Sequence, residues 1–440
     1  MRLLVIDQDR CGLDLCLRAA AHGHEVKWFR WSKRPVLDGK GFPDVEIIDD
    51  WRRAMPWAKD GLVIATANNK YLYELDDFRR FGWKNIMAPS VRSAALEINR
   101  QEGMTLFEQK GLNVVPYKTF DTLQKAKAHV LKTDQNYAFK TLGSEDDKAL
   151  TFVSSSPAQM AEWLDDKIKK GMILKGPCML QEKIEFMAEV GIAGWMGSDG
   201  FLNAKWELSF EHKKLCSGNY GPNTGEQGTV CQYVEIDPLA DVLASFEDDL
   251  RGRGHSGDIN INGGIDNQGQ FWPFEWTSRL GWPDFFIRTS MHKGDSIEWI
   301  RAMLQGKDTL RVSRDAFVGC VVAQRPYPYG DGSADEVEGK PIYGLCDVWD
   351  SIHPVQMMCS NGYVMTGEAI TTGDLYRTTG PYVLVATGSG STVTKACKDV
   401  YSTVCEIKLS DAIVRDDIGE HVIDELPKLH RLGYAKEIQP

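Results

Sequence analysis

The segment EHKKLCSGNYGPNTGEQGTV, Glu211 to Val230, sets His212, Lys213 and Lys214 beside Gly218, Gly221, Gly225 and Gly228. Glycines let main-chain N–H groups approach a ligand closely and lysines supply positive charge, which suits an anion such as a nucleotide phosphate or a carboxylate. A surface turn has the same composition. Upstream, Lys140 ends a strand-like run and Lys148 follows across a loop containing Gly143, so two point charges flank a candidate polyphosphate site; solvated lysines give the same spacing. Glu182 and Glu189 lie on consecutive strand-like runs, where carboxylates can accept hydrogen bonds from an adenine amino group or a ribose, or simply face solvent. In QGQFWPFEWTSRLGWPD, Glu275, Thr277 and Arg279 alternate and share one strand face. A carboxylate, a second oxygen ligand and a guanidinium together suit Mg2+ with an anionic substrate; a surface ion pair is the plainer use.

The elements that must position these groups are legible in outline. RLLVI and EVKWF read as buried strands with a helical pattern between Gly12 and Gly23, a βαβ unit that GLVIATA extends and that closes near residue 100. Its first turn, DQDRCGLD, carries Asp7 and Asp9 where a dinucleotide fold places glycines, so NAD or FAD is not expected there. In SPAQMAEWLDDKIKKG, Ser156 caps, Pro157 suits the first turn, Gln159 completes a capping box and Gly171 ends the helix. AEVGIAGWM, SDG and FLNAKWELSF read as a hairpin, and DGSADE at 331–336 leads into a last α+β region. At 440 residues, two to four domains are expected. A net charge of -11 argues against a general nucleic-acid binder, and the ten scattered cysteines, without a CxxC pair, read as reduced thiols. No apolar run is long enough to cross a membrane, and MRLLVIDQDRCG reaches acidic residues too early for a secretory leader, so a cytoplasmic location is expected.

Taken in order, Lys140-x-x-Gly143-x-x-x-x-Lys148, Glu182 on a hinge strand, Glu-His-Lys-Lys at 211–214, Gly-Pro-Asn-Thr-Gly-x-x-Gly at 221–228 and Glu275-x-x-x-Arg279-x-Gly281 resemble the phosphoribosylamine-glycine ligases of the ATP-grasp superfamily. GPYVLVATGSGSTVTKACKDVYSTVCEI followed by RDDIG, ending at Gly419, resembles that family's last domain. The resemblance implies a mixed α/β and α+β chain of ATP-grasp fold. Its parts would be a Rossmann-like domain at 1–100, a small subdomain forming the ATP lid at 101–190, a large subdomain at 191–330 and a small C-terminal α+β domain at 331–440. It implies ATP and Mg2+ as cofactors, with Lys140, Gly143, Lys148, Glu182, Glu189, His212 and Lys214 around the nucleotide. Glu275 and, more weakly, Thr277 would hold the metal, with Asn262 on the neighbouring strand as a candidate compensating oxygen, and Arg279, Lys213 and Asn223 would act on the acyl group. The implied reaction activates a carboxylate as an acyl phosphate, which an amine then attacks to give an amide.

Several positions depart from the family. Its glycine-rich first turn is DQDRCGL here, its second metal ligand, an asparagine, is Thr277, an acid is replaced by Trp282, SEDD precedes Lys148, and the lysine expected on the helix near Thr105 has no match. Two carboxylates at ~4 Å repel by about 4 kcal/mol at an effective dielectric of ~20, so Asp7 and Asp9 are expected to reject a 5'-phosphate and to accept an ammonium or a sugar hydroxyl. The expected activity is an ATP-dependent ligation of an amino acid to a divergent amine, with a nucleotide or modified base among the candidates. An authentic phosphoribosylamine-glycine ligase and a catalytically inactive binding or scaffold protein stand as alternatives. The expected partners are small amino acid and amine substrates, with no membrane, and a monomer or small homo-oligomer.

Overall fold

The computed structural model describes residues 1–142, 151–174 and 176–440. Gly143 and Lys148 lie outside the described residues. The front of the chain is a parallel sheet of β1 (Arg2–Asp7), β2 (Glu25–Arg30), β3 (Val45–Ile48), β4 (Leu62–Ala65) and β5 (Ile86–Met87), in the order β3-β2-β1-β4-β5. Leu3, Leu4, Val5 and Ile6 are all buried because helices cover both faces, which is why RLLVI shows no alternation. The order reverses between β1 and β4, and Asp7 ends β1 at that switch point, where doubly wound folds receive ligands.

Antiparallel strands β6 (Tyr117–Phe120), β7 (Tyr137–Thr141), β8 (Phe152–Val153) and β9 (Cys178–Glu182) form a second sheet ordered β6-β9-β7-β8. Helices Leu123–Val130 and Pro157–Lys169 pack on it through Leu123, Val130, Met160 and Leu164 against Phe139 and Leu180. The Ser156 side chain accepts from the Gln159 N–H, as the sequence predicts, while the Gln159 side chain reaches Ser155 rather than Ser156.

The main sheet is built from β10 (Ala188–Gly197), β11 (Gly200–Phe201), β12 (Trp206–Cys216), β13 (Tyr220–Val234), β14 (Gly257–Ile265), β15 (Phe271–Thr277) and β16 (Ala316–Ala323). After β17 (Pro341–Ile342), β18 (Ile352–Pro354), β19 (Met357–Thr366) and β20 (Ala369–Thr378), the chain returns through β21 (Tyr382–Gly390) to pair with β16. The order is β15-β14-β10-β12-β13-β16-β21-β18, with β11 on β10, so the C-terminal region shares the sheet of the residues before it. The remaining strands, β17, β20 and β19, form a separate small sheet. No helix among the described residues is long and apolar enough to cross a membrane.

Helix Arg100–Gln109 locks the front of the chain onto β15. Phe107 stacks on Trp276 with centroids 4.9 Å apart, and the Trp276 indole donates to the Gly103 carbonyl at 3.3 Å. A Cβ at Gly103 would lie 2.4 Å from the Leu96 carbonyl oxygen and 2.8 Å from the Trp276 ring, so only glycine permits this approach. Gly103→Ala is therefore expected to destabilise by about 1–3 kcal/mol. Thermal unfolding of the variant checks this; an unchanged midpoint would contradict it.

Candidate active site

Register places the polar groups on one face of the main sheet. Gly191 of β10 is paired with Ser209 of β12 and Asn262 of β14, and Asn262 with Glu275 of β15; one row along, Ala193 meets Glu207 and Asn260, and Asn260 meets Thr277. Since strand side chains alternate, Glu189, Glu211 and Lys213 point to this same face. A Cβ on Gly191 would sit 2.5 Å from both the Asn262 Oδ1 and the Ser209 Oγ, so the bare backbone makes room for these polar side chains.

Glu275 is the centre of the arrangement. Arg100 approaches one carboxylate oxygen at 3.2 Å and the Lys213 ammonium approaches the other at 3.6 Å. Lys213 also pairs with Glu211 at 3.1 Å, and Glu211 accepts from the Asn262 amide at 2.9 Å. Burial opposes the charge on Lys213, but Glu211, Glu275 and Glu189 outweigh it and hold its pKa above the ordinary value. Lys140, on β7, faces the same groups with the opposite outcome. Burial and the cations Arg100 and Lys213 drive its pKa down to about 7, against the pull of Glu275 and Glu189. Three cations thus converge where an anion would relieve their repulsion.

The donors fit Mg2+: the Glu275 carboxylate, the Asn262 amide oxygen and the Thr277 hydroxyl are all oxygens, as a hard cation requires. Beside Thr277, the buried Asn260 Oδ1 has no hydrogen-bond partner among the described residues and adds an oxygen that the sequence pattern did not single out.

His212 points to the opposite face, fully buried; its Nε2 accepts the Gly419 N–H at 2.9 Å and its ring packs on His421. Burial holds its pKa well below the usual value, so it supplies no positive charge to a phosphate. Period-two alternation is the reason: Lys213 faces the site, and its neighbours in the sequence cannot. Lys214 donates to the Gly221 carbonyl at 3.3 Å, and Asn223, paired with it across the hairpin, is exposed. Glu182 ends β9 beside the 183–187 linker to β10, and Glu189 is exposed on β10 within the electrostatic reach of Lys140 and Lys213. Arg279 extends the Glu275–Thr277 face and pairs with Glu97 at 3.3 Å; Glu97 also accepts the Ser278 N–H at 2.9 Å. Arg100 lies upstream of the expected lysine near Thr105, and its charge was the one available signal.

The front turn corrects the expectation for Asp7. Its carboxylate is fully buried and accepts the backbone N–H groups of Asp9, Cys11 and Gly12 at 3.1, 3.3 and 2.7 Å, together with the Thr66 hydroxyl and the Trp28 indole, both at 3.1 Å. The nest of N–H groups that would cradle a phosphate is filled by the protein's own carboxylate. Asp7 therefore offers nothing to an amine. Asp9 remains half-buried: burial raises its pKa to about 6, Arg279 pulls it down, and Asp7 and Glu97 push it up.

A cavity of about 290 Å³ lies elsewhere, between helix Leu13–Ala21 and residues 292–297. It is lined by the Asp14–Arg18 ion pair and contains none of the groups gathered around Glu275.

With this geometry in view, the chain is similar to curated phosphoribosylamine-glycine ligases. That of Clostridium acetobutylicum is 24% identical over 362 residues, covering 79% of this chain and 81% of the relative. A phosphoribosylamine-glycine ligase structure from Thermotoga maritima superposes with a TM-score of 0.69 at 18% identity, covering 95% of this chain and 100% of that one. An L-amino acid ligase from Bacillus licheniformis gives 0.59 at 13% identity, covering 93% and 98%. No family model matches the chain. The fold is the ATP-grasp fold.

With its pKa driven down to about 7, Lys140 would draw in a proton if a polyphosphate bound beside it. Calorimetric titration of ADP in buffers of different ionisation enthalpy is expected to show proton uptake at about pH 8 that fades below about pH 6, where Lys140 is already charged. Lys140→Met removes this uptake. Uptake unchanged in that variant would place the nucleotide away from Lys140.

Proposed function

We propose that this chain is an ATP-dependent ligase that activates an amino acid carboxylate as an acyl phosphate and joins it to an amine other than phosphoribosylamine. The observation that carries the reading is the convergence of Lys140, Arg100 and Lys213 on Glu275, with Asn262 and Thr277 on the same face. Mg2+, held by Glu275, Thr277 and Asn262, would neutralise phosphoryl oxygens. Lys140 and Arg100 bind the phosphate being transferred, and Lys148 with Gly143 is assigned to the same grip. Lys213, kept charged by Glu211 and Glu275, stabilises the negative charge that develops on the acyl phosphate. Arg279, oriented by Glu97, holds the acid, and Glu182 and Glu189 are assigned to the nucleoside end.

The amine is argued from the front turn. With Asp7 accepting the N–H groups of Asp9, Cys11 and Gly12, these backbone donors are not open to a 5'-phosphate. The similarity to the curated relatives favours a second reading, an authentic phosphoribosylamine-glycine ligase. ADP release with a panel of amino acids and amines separates them. Amino acid-dependent release is expected, falling about 100-fold or more in Glu275→Gln, with no glycinamide ribonucleotide formed from glycine and phosphoribosylamine. Formation of that product would establish the second reading. No release with any pair would leave a nucleotide-binding protein without catalysis.

A further inference from the structure

We propose that Glu226 is the group that receives the amine, binding a primary ammonium and accepting its proton as it attacks the acyl phosphate. This rests on the ligase reading above and names a residue with no role in it so far.

The geometry begins with a break in register. Between the pairs His212↔Gly228 and Lys214↔Asn223, β12 spends one residue, Lys213, while β13 spends four, Thr224, Gly225, Glu226 and Gln227. Regular alternation from Cys231 and Thr229, which pair with Ser209 and Glu211 on the site face, would turn Glu226 away. Such irregularities re-aim side chains beside active sites. Here Thr224 donates to the Lys213 carbonyl at 2.9 Å and anchors the irregular stretch to the residue it surrounds.

Glu226 is 7% exposed, and its Oε1 has no hydrogen-bond partner among the described residues. Charged and titratable groups face it from each neighbouring element: Glu207, Glu211 and Lys213 from β12, Asp284 from helix Asp284–Met291, Tyr327 from the loop after β16, and Tyr382 from β21. The Tyr382 hydroxyl is likewise buried without a partner. Both tyrosines also sense Cys11, which adjoins Asp9 in the front turn. Glu226 thus lies between the phosphate end of the site, at Lys213, and the front domain. Burial raises its pKa well above that of an ordinary carboxylate. A buried carboxyl group without a partner is unfavourable unless a ligand completes it, and an ammonium supplies both the charge and the donors.

The chemistry balances. The ammonium nitrogen gives one proton to the Glu226 carboxylate; its lone pair forms the C–N bond at the acyl carbon as the C–O bond to phosphate breaks. Phosphate leaves with that electron pair and takes the second nitrogen proton, giving amide, hydrogen phosphate and protonated Glu226. The substrate class is a primary alkylamine with no phosphate at the end that enters the front turn, since Asp7 fills that anion site.

The test compares two small amines, with ATP, Mg2+ and a mixture of the twenty amino acids at about pH 7.5. Hydroxylamine is mostly neutral there and has no ammonium proton to lose, whereas methylammonium must lose one. Wild-type protein is expected to form both hydroxamate and N-methylamide. Glu226→Gln should keep hydroxamate formation within about threefold and lose N-methylamide formation by about 100-fold or more, with ADP affinity unchanged. Equal loss with both amines, loss with neither, or wild-type hydroxamate without N-methylamide would overturn the assignment. Absence of hydroxamate in the wild type would instead remove the ligase reading on which it rests. Glu226→Asp, which keeps the charge, should restore part of the N-methylamide rate if Glu226→Gln folds with an unchanged melting temperature; no restoration would contradict a role in proton acceptance.

Discussion

The site depends on confining like charges against a fixed carboxylate. Glu275 can hold Arg100 and Lys213 because β15 is pinned from behind by Phe107 stacked on Trp276, and because Glu211, on the same strand as Lys213 and itself held by the Asn262 amide of β14, pairs with Lys213. Lys140 arrives from a different sheet and finds the position already positive, which is why its pKa falls to about 7 while that of Lys213 rises. Cations gathered in this way favour an anion at their meeting point.

The front domain contributes by what it closes off. A parallel βαβ unit ordinarily presents backbone N–H groups at the end of its first strand, and this one spends them on Asp7. The fold keeps its ligand-facing edge but fills the backbone anion nest there, with Asp9 still half-buried within the field of Arg279. The main sheet makes a parallel change at Glu226, where a register break in β13 turns a carboxylate toward Lys213.

Local chemistry was legible in the sequence and long-range pairing was not. The helix Pro157–Lys169 was readable because its cap, Ser156, lies beside it. The Glu275–Thr277–Arg279 face was readable because a strand alternates. His212 and Lys213 are neighbours in the sequence, yet alternation along the strand puts them on opposite faces. Asp7 reads as an open carboxylate in the sequence because the fold of its own turn onto it, and the approach of Trp28 and Thr66 from positions far along the chain, leave no local pattern. Arg100 lies 175 positions from Glu275, so nothing near either residue announced the pair. The pairing of β21 with β16 was equally hidden, since it depends on the chain leaving the sheet and returning after two other strands have formed their own hairpin.

A ligase of the proposed kind transfers a phosphoryl group from ATP to a carboxylate before any amine takes part. Positional isotope exchange in ATP labelled with 18O at the β,γ-bridge reads that step alone. The label is expected to scramble into the β-nonbridging positions when the protein, Mg2+ and its amino acid are present without an amine, and not when the amino acid is left out. No scrambling with any of the twenty amino acids would contradict that reading.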